Sequence, residues 1–511
     1  MLCLSSCTDV DERLGQNYLA SNQQYTIHTA SFPLDSIDVE VPSDLSAFSQ
    51  YRFIFGAIRD EDLGLSTHSC SFTLVPAVDT IDFGKPGTRK IRQFHFSGLL
   101  DTVSCASPSQ QHILQNVNVY ALTEPLDYDS PDQEPKHGTT RITDGIPVYN
   151  GSDSLSFNFS KEFGQYYIDN MTQYDVDSIS RYVKKFPGIV ISTDEPVGNG
   201  GRVNLFSLPI DVYNGYPYGS YALLKFSAEY EGKGVVDTSF VFYLGPMEIY
   251  DDIDQVTSTS SSKYPQLSLN HSVHESASKA GSAGKEFYFE GEHGLKPVIR
   301  AATLRKLMVD EVSKYGDPED VTVSKATITL PYVVPEDWDD MDKYPTKLSP
   351  TCRIVYDKGE IAYAGITDIS VSKENQGDIN RSLCQYSPDI THHAQAIMKL
   401  KDTKKINNYD VWMIPYSTMQ VSAHTESSSQ SSEYSDYLRQ LAYSSYYNNM
   451  YGGYNYYNYM MMAMAASQQT TSAQTESVTD LYNFYKAKFY GPKADKSHAP
   501  TFTITYLVRK H

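Results

Sequence analysis

The sequence predicts a mainly β protein: antiparallel β-sandwich-like domains with a few short helices and long loops. Three observations predict it. Apolar and polar residues alternate at period two from one end of the chain to the other, aromatic side chains abound, and helical spacing is scarce. The 41 tyrosines and 21 phenylalanines suit a pleated surface, where flat rings pack against neighbouring strands.

In chain order the alternation runs through Ile37/Val39/Val41, Phe94/Phe96, Val117/Val119, Leu224/Phe226/Ala228, Phe240/Phe242, Ala326/Ile328/Leu330/Tyr332/Val334 and Phe502/Ile504/Tyr506. Each reads as a half-buried antiparallel strand with one face on a core and one in water. Two stretches read as helices. Asp389–Met398 opens on a capping residue and continues with helix formers, while Ala301–Val312 places Leu304, Leu307, Met308 and Val312 near helical spacing.

At 511 residues the chain exceeds the roughly 250 to 300 residues at which a single core stops growing, so two domains are expected. The composition break at 257–285, rich in Ser, Lys, Ala and Gly, reads as the linker or loop between a first β-rich domain, 23–256, and a second, 286–511. A further break at about 425–477 reads as an insertion into the second. There a serine-rich stretch runs into alternating tyrosine and asparagine and then methionine, a pattern with neither strand nor helix period. Its tyrosines Tyr446, Tyr447, Tyr451, Tyr454, Tyr456, Tyr457 and Tyr459 are candidates for an exposed binding loop, against the plainer reading of a tolerated surface insertion.

The N-terminus carries the sharpest motif. Leu4-Ser5-Ser6-Cys7 is built like a lipoprotein processing site, with small residues for the peptidase and a thiol to be acylated, so residues 1–7 read as a signal remnant ending at a lipidated Cys7. Only Met1 to Ser6 precede that cysteine and none is basic, which points to a truncated or mis-assigned start. The acidic residues Asp9, Asp11 and Glu12 open an N-terminal tether, 8–22, and are similar to the signal that exports such lipoproteins to the outer face of the outer membrane. Several acyl chains on one cysteine, at about 0.8 kcal/mol per buried methylene, make a durable anchor.

With 42 basic against 62 acidic side chains, a formal charge of −20 repels nucleic-acid phosphates and excludes that class of partner. No apolar run approaches the 18 or so residues of a membrane span. Beyond Cys3 and Cys7 stand Cys70, Cys105, Cys352 and Cys384. In an exported chain their spacing suggests local disulfides, Cys70 with Cys105 and Cys352 with Cys384, against the alternative of four buried free thiols.

Catalytic chemistry finds little purchase. Glu336–Asp342 is acidic but lacks the glycine and distal glutamate of a calcium loop, and reads as a solvated turn. His271-Ser272-Val273-His274-Glu275 fits no zinc-protease spacing and reads as exposed loop. His392 and His393 are neighbours that a helix would splay about 100° apart. Gly198–Gly201 lacks the Lys and Ser/Thr of a phosphate loop. No nucleophile, base and orienting group can be nominated together, so neither enzyme activity, metal nor cofactor is expected.

Several stretches in order, Arg59–Gly64, Asp79–Gly84, Val117–Leu122, Phe186–Ile191, Phe287–Leu295 and Phe502–Leu507, resemble the Bacteroidota lipoprotein family known as domain of unknown function 4270, over nearly the whole chain. The tyrosine-rich segment departs from that pattern. The resemblance implies a β-rich, non-enzymatic lipoprotein anchored on the outer membrane and facing the exterior. By analogy with other surface lipoproteins, it would serve as an accessory or cap subunit of a β-barrel complex for assembly or transport. The alternative is a cell-surface glycan-binding or adhesive lipoprotein, with exposed tyrosines stacking on sugar faces.

Overall fold

The computed structural model describes residues 25–509 except 78–79, 131, 153, 209, 214–215, 246–265, 357–358, 360, 372–374 and 422–473. It is mainly β, 47% strand against 18% helix, with antiparallel sheets and short helices. Among the described residues no helix is long and apolar enough to cross a membrane.

The first core is built on a 14-stranded sheet. Its central run passes from Gly64–Phe72 through Arg52–Asp60, Gly200–Ser207, Lys90–Cys105 and Tyr221–Tyr230 to Gly234–Leu244. The sheet then folds back on itself, because Leu74–Pro76, which directly follows Gly64–Phe72 in the chain, pairs with the far strand at Phe242–Leu244. Period-two sequence explains what fills it: Phe53, Phe72, Phe94, Phe96, Phe157, Phe206 and Phe242 all point inward and are buried. Their rings meet stacked or edge-on, as Phe53 on Phe206 at 4.9 Å does, arrangements that add about 0.5–1.5 kcal/mol each beyond burial.

Three helices cap this core, Lys161–Asn170, Gln173–Val176 and Ile179–Lys185. None is expected from the sequence. The first starts where Ser160 accepts a hydrogen bond from the Phe163 amide at 3.2 Å, and the second where Thr172 and Asp175 form a reciprocal capping box. Both are standard ways to satisfy the free amides of a first helical turn.

The second core lies between a five-stranded sheet, closed at one edge by Tyr25–Pro33 on Thr501–Arg509, and a seven-stranded sheet centred on Val411–Val421. The helices Ala301–Val312 and Thr391–Met398 contribute Leu304, Met308, Ala394 and Ile397 to it. The helix expected at Asp389–Met398 starts at Thr391, one residue later than a cap at Asp389 would give. Val321–Pro331 is one residue short of Tyr332, so Val334 is exposed instead of completing the inward alternation.

The division into domains differs from the sequence reading in two places. Residues 25–45 belong to the second core, through the Tyr25–Pro33 strand and through Asp38–Glu40, which pairs with Lys296–Val298. The segment expected as linker is instead structural: Ser268–His274 pairs with Ser66–Ser71 in the first sheet, and Gly281–Ser282 pairs with Asp38–Val39 beside the second core. The bodies are pressed together where Tyr482 and Phe484 pack on Ile54, Ile58, Leu63, Val203 and Leu205, the outer face of the first sheet.

Candidate functional site

Cys7, Asp9, Asp11 and Glu12 lie outside the described residues, as do the seven candidate tyrosines from Tyr446 to Tyr459. The suggested disulfides are not formed: Cys70, Cys105, Cys352 and Cys384 are all free thiols. Sheet order gives the reason for the first pair. The strands Arg52–Asp60 and Gly200–Ser207 stand between those of Cys70 and Cys105, three spacings of about 4.8 Å, well beyond the reach of a disulfide. In the second pair the Cys352 thiol lies 3.8 Å from His393 Nε2, while Cys384 turns back to the Arg381 carbonyl.

The Cys352–His393 contact has the composition of a nucleophile and base, but not the protonation. Burial pushes the thiol up and holds the imidazole down, to about 4. His393 Nε2 also faces the Tyr409 carbonyl at 2.9 Å. Both groups are thus neutral and packed in the core, and a buried neutral thiol is inert.

Two polar assemblies stand out. One is buried where the bodies meet, and it overturns the reading of His271–Glu275 as exposed loop. His274, on an inner strand, sets Nδ1 2.9 Å from Glu290 Oε1 and Nε2 3.7 Å from Glu292 Oε2. His68 Nε2, from the neighbouring strand, is 3.0 Å from the same Glu292 oxygen, off the hydrogen-bond axis. Ser276 donates to Glu290 Oε2, and Lys296 Nζ donates to the carbonyls of Glu290, Gly291 and Gly294 at 2.5, 3.1 and 3.0 Å. Burial opposes both charges of the central pair, yet the pairing with Glu290 raises His274, and His274 in turn holds Glu290 below the usual carboxylate range. Burial pulls Lys296 down to about 7 and His293 to about 4. Glu292 adopts φ +50, a left-handed turn conformation uncommon outside glycine, which turns its carboxylate back toward the two imidazoles. The assembly is an internal electrostatic joint; among the described residues no group of three or more His, Cys, Asp or Glu is arranged to hold a metal ion.

The other assembly is open. A cleft of about 260 Å³ is cut into the second body, and four separate parts of the chain build it. The segment after the Asp38–Glu40 strand supplies Glu40, Val41, Ser43 and Asp44; the strands Leu348–Val355 and Ile361–Gly365 supply Arg353 and Tyr363; Asn407, Asp410 and Trp412 lead into the central strand. Arg300, at the head of the Ala301–Val312 helix, completes it. Arg300 binds Asp38 at 2.7 Å, Asp410 at 2.8 Å and Glu40. Asp410 uses its other oxygen to accept the Ala301 amide at 2.8 Å, so it caps the helix and fixes the guanidinium at once. Arg353 grips Asp44 with two nitrogens, Nε at 2.8 Å, and Tyr363 donates to the second Asp44 oxygen at 2.6 Å. Burial works to raise Asp44, but these donors hold it below its ordinary value. Tyr363 meets Trp412 edge-on at 5.7 Å, so the cleft's aromatic lining is Tyr363 backed by the nearly buried Trp412.

The sequence reading missed both assemblies. The one available signal was charge next to apolar residues, Glu290 after Phe287 and Phe289 and Lys296 after Leu295. Compared with known proteins, the chain matches no family model and no curated protein.

Proposed function

We propose that this chain is a non-enzymatic, lipid-anchored protein of the outer-membrane surface, held by Cys7 and serving as an accessory or cap subunit of a β-barrel complex. The observation that supports this reading is an open strand edge at the start of the described chain. Tyr25–Pro33 pairs with Thr501–Arg509 along its whole length and has no described strand on its other side. Tyr25 and Ile27 on it are exposed. Cys7 stands 18 positions ahead of Tyr25, a reach of at most about 65 Å. An unpaired edge is a template for strand addition by a partner chain.

Gentle detergent extraction from the native outer membrane, affinity capture and mass spectrometry test this directly. A β-barrel protein recovered in stoichiometric amount supports it; recovery of the chain alone, or a Cys7→Ser variant that still partitions with the membrane and carries the same acyl label, sinks it. The cleft favours a second reading, a cell-surface glycan-binding lipoprotein, because aromatic walls with fixed polar groups are how proteins hold sugars.

A further inference from the structure

We infer that the cleft between Arg300 and Arg353 is a binding site for a single neutral pyranose unit, free or at the end of a glycan. The inference deepens the second reading above and rests on it only for where the sugar is met.

Charge decides the chemical class first. Arg300 and Arg353 are each already satisfied by carboxylates, Arg300 by Asp38, Glu40 and Asp410 and Arg353 by Asp44. An anion would have to displace a carboxylate that is locked in place, against a local excess of acid. An ammonium would have to sit beside the two guanidiniums that already neutralise the nearest carboxylate oxygens. A hydroxyl does neither. It donates to the remaining carboxylate lone pairs and accepts from remaining N–H groups, leaving every ion pair intact.

Rigidity and free valence come next. The acceptors and donors are held by one another and by the helix that Asp410 caps, so little ordering cost remains for a ligand to meet. At the rim, the side chains of Ser43 and Asn407 make no hydrogen bond to described residues. Both can donate and accept, which is what alternating sugar hydroxyls require. Tyr363 supplies apolar surface for the C–H face of a ring, backed by Trp412, which is 4% exposed. About 260 Å³ falls just under the roughly 300–1,000 Å³ of pockets that take drug-sized ligands, which limits the occupant to one ring.

The chain provides its own reporter. It has two tryptophans, Trp338, which is 60% exposed, and Trp412, so full-length Trp338→Phe protein emits from Trp412 alone. Glucose, galactose, mannose and N-acetylglucosamine are titrated to roughly 10 mM, ten times a millimolar Kd, with choline and sulfate as charged probes. The expected result is a saturable change in Trp412 emission with at least one neutral sugar and none with the charged probes. Ser43→Ala and Asn407→Ala, at exposed residues whose side chains make no described hydrogen bond, should leave the melting temperature unchanged and together weaken binding at least tenfold. No response to any sugar, a response only to choline or sulfate, or unaltered affinity in the double variant each overturns the inference. None of these outcomes bears on whether a barrel co-purifies, so the two readings fail separately.

Discussion

Removing the Glu290 carboxylate would strand the His274 imidazole and the Lys296 ammonium in the interior without their main counter-charge. Breaking a buried pair from one side costs about 3–5 kcal/mol, and urea unfolding of Glu290→Ala should show a loss in that range. Acid acts through two other buried histidines, one near this joint and one in the second core. His293 and His393 are held neutral by burial down to about 4, whereas in the unfolded chain histidine titrates near 6.5. Their contribution is therefore complete above about pH 6.5 and is lost as pH falls toward 4. His274 runs the opposite way: its pKa is raised, so its contribution is complete below about 6.5 and fades as pH rises through the folded value. Between pH 6 and 4, His393→Gln should flatten the fall of stability with acid by up to about 1.4 kcal/mol per pH unit; an unchanged slope would mean that His393 is not neutral in the fold. For the thiols, burial pushes up both Cys70 and Cys352. An aromatic disulfide reagent should leave both untouched until denaturant is added, and reductant should not move the melting temperature.

Among elements, the strands with strict alternation were legible, because a face that repeats every second residue can only be buried as a strand. Ser268–His274 was not, since it carries few apolar side chains, yet it is as buried as its neighbours. The reason is Asn270, whose side chain accepts from the Ile54 amide at 3.1 Å and donates to the Arg52 carbonyl at 3.0 Å. A side-chain amide there does the work of a backbone, and no periodicity reports that. The helices of 161–185 were hidden for a related reason: Tyr166, Tyr167 and Ile168 favour strands locally, but Tyr167 and Ile168 find their burial against the sheet, and tertiary packing overrides a weak propensity. The turn at Asn375–Asp378 shows what an element end demands. Gly377 sits at φ +104, where an added Cβ would lie 1.8 Å from the Leu348 carbonyl oxygen, while the Asn375 side chain accepts from the Gly377 and Asp378 amides. Gly377→Ala should cost well over about 1 kcal/mol, visible as a lower urea midpoint.

At the scale of the molecule, what sequence could not reveal is long-range assembly. The cleft draws Asp44, Arg300, Arg353 and Asp410 from four separate stretches, and the buried joint draws His68 to Glu292 across the boundary between bodies. No spacing rule links such residues. The joint and the packing of Tyr482 and Phe484 on the first sheet couple the two cores, so the intact chain should unfold in one calorimetric transition. Phe484→Ala, losing about 3 kcal/mol of packing where the bodies meet, should split it into two; a single transition merely shifted downward would show that the bodies are joined chiefly elsewhere.

The strand Val411–Val421 runs antiparallel to Gln474–Thr479, with Val421 directly across from Gln474. The chain thus leaves the sheet and re-enters it at facing positions, so the sheet registers only that the two ends are close, not what lies between them. Because the cost of closing a loop grows only with the logarithm of its length, this hairpin is a socket whose insert can be lengthened, exchanged or recoded while the register of the sheet beneath it stays the same.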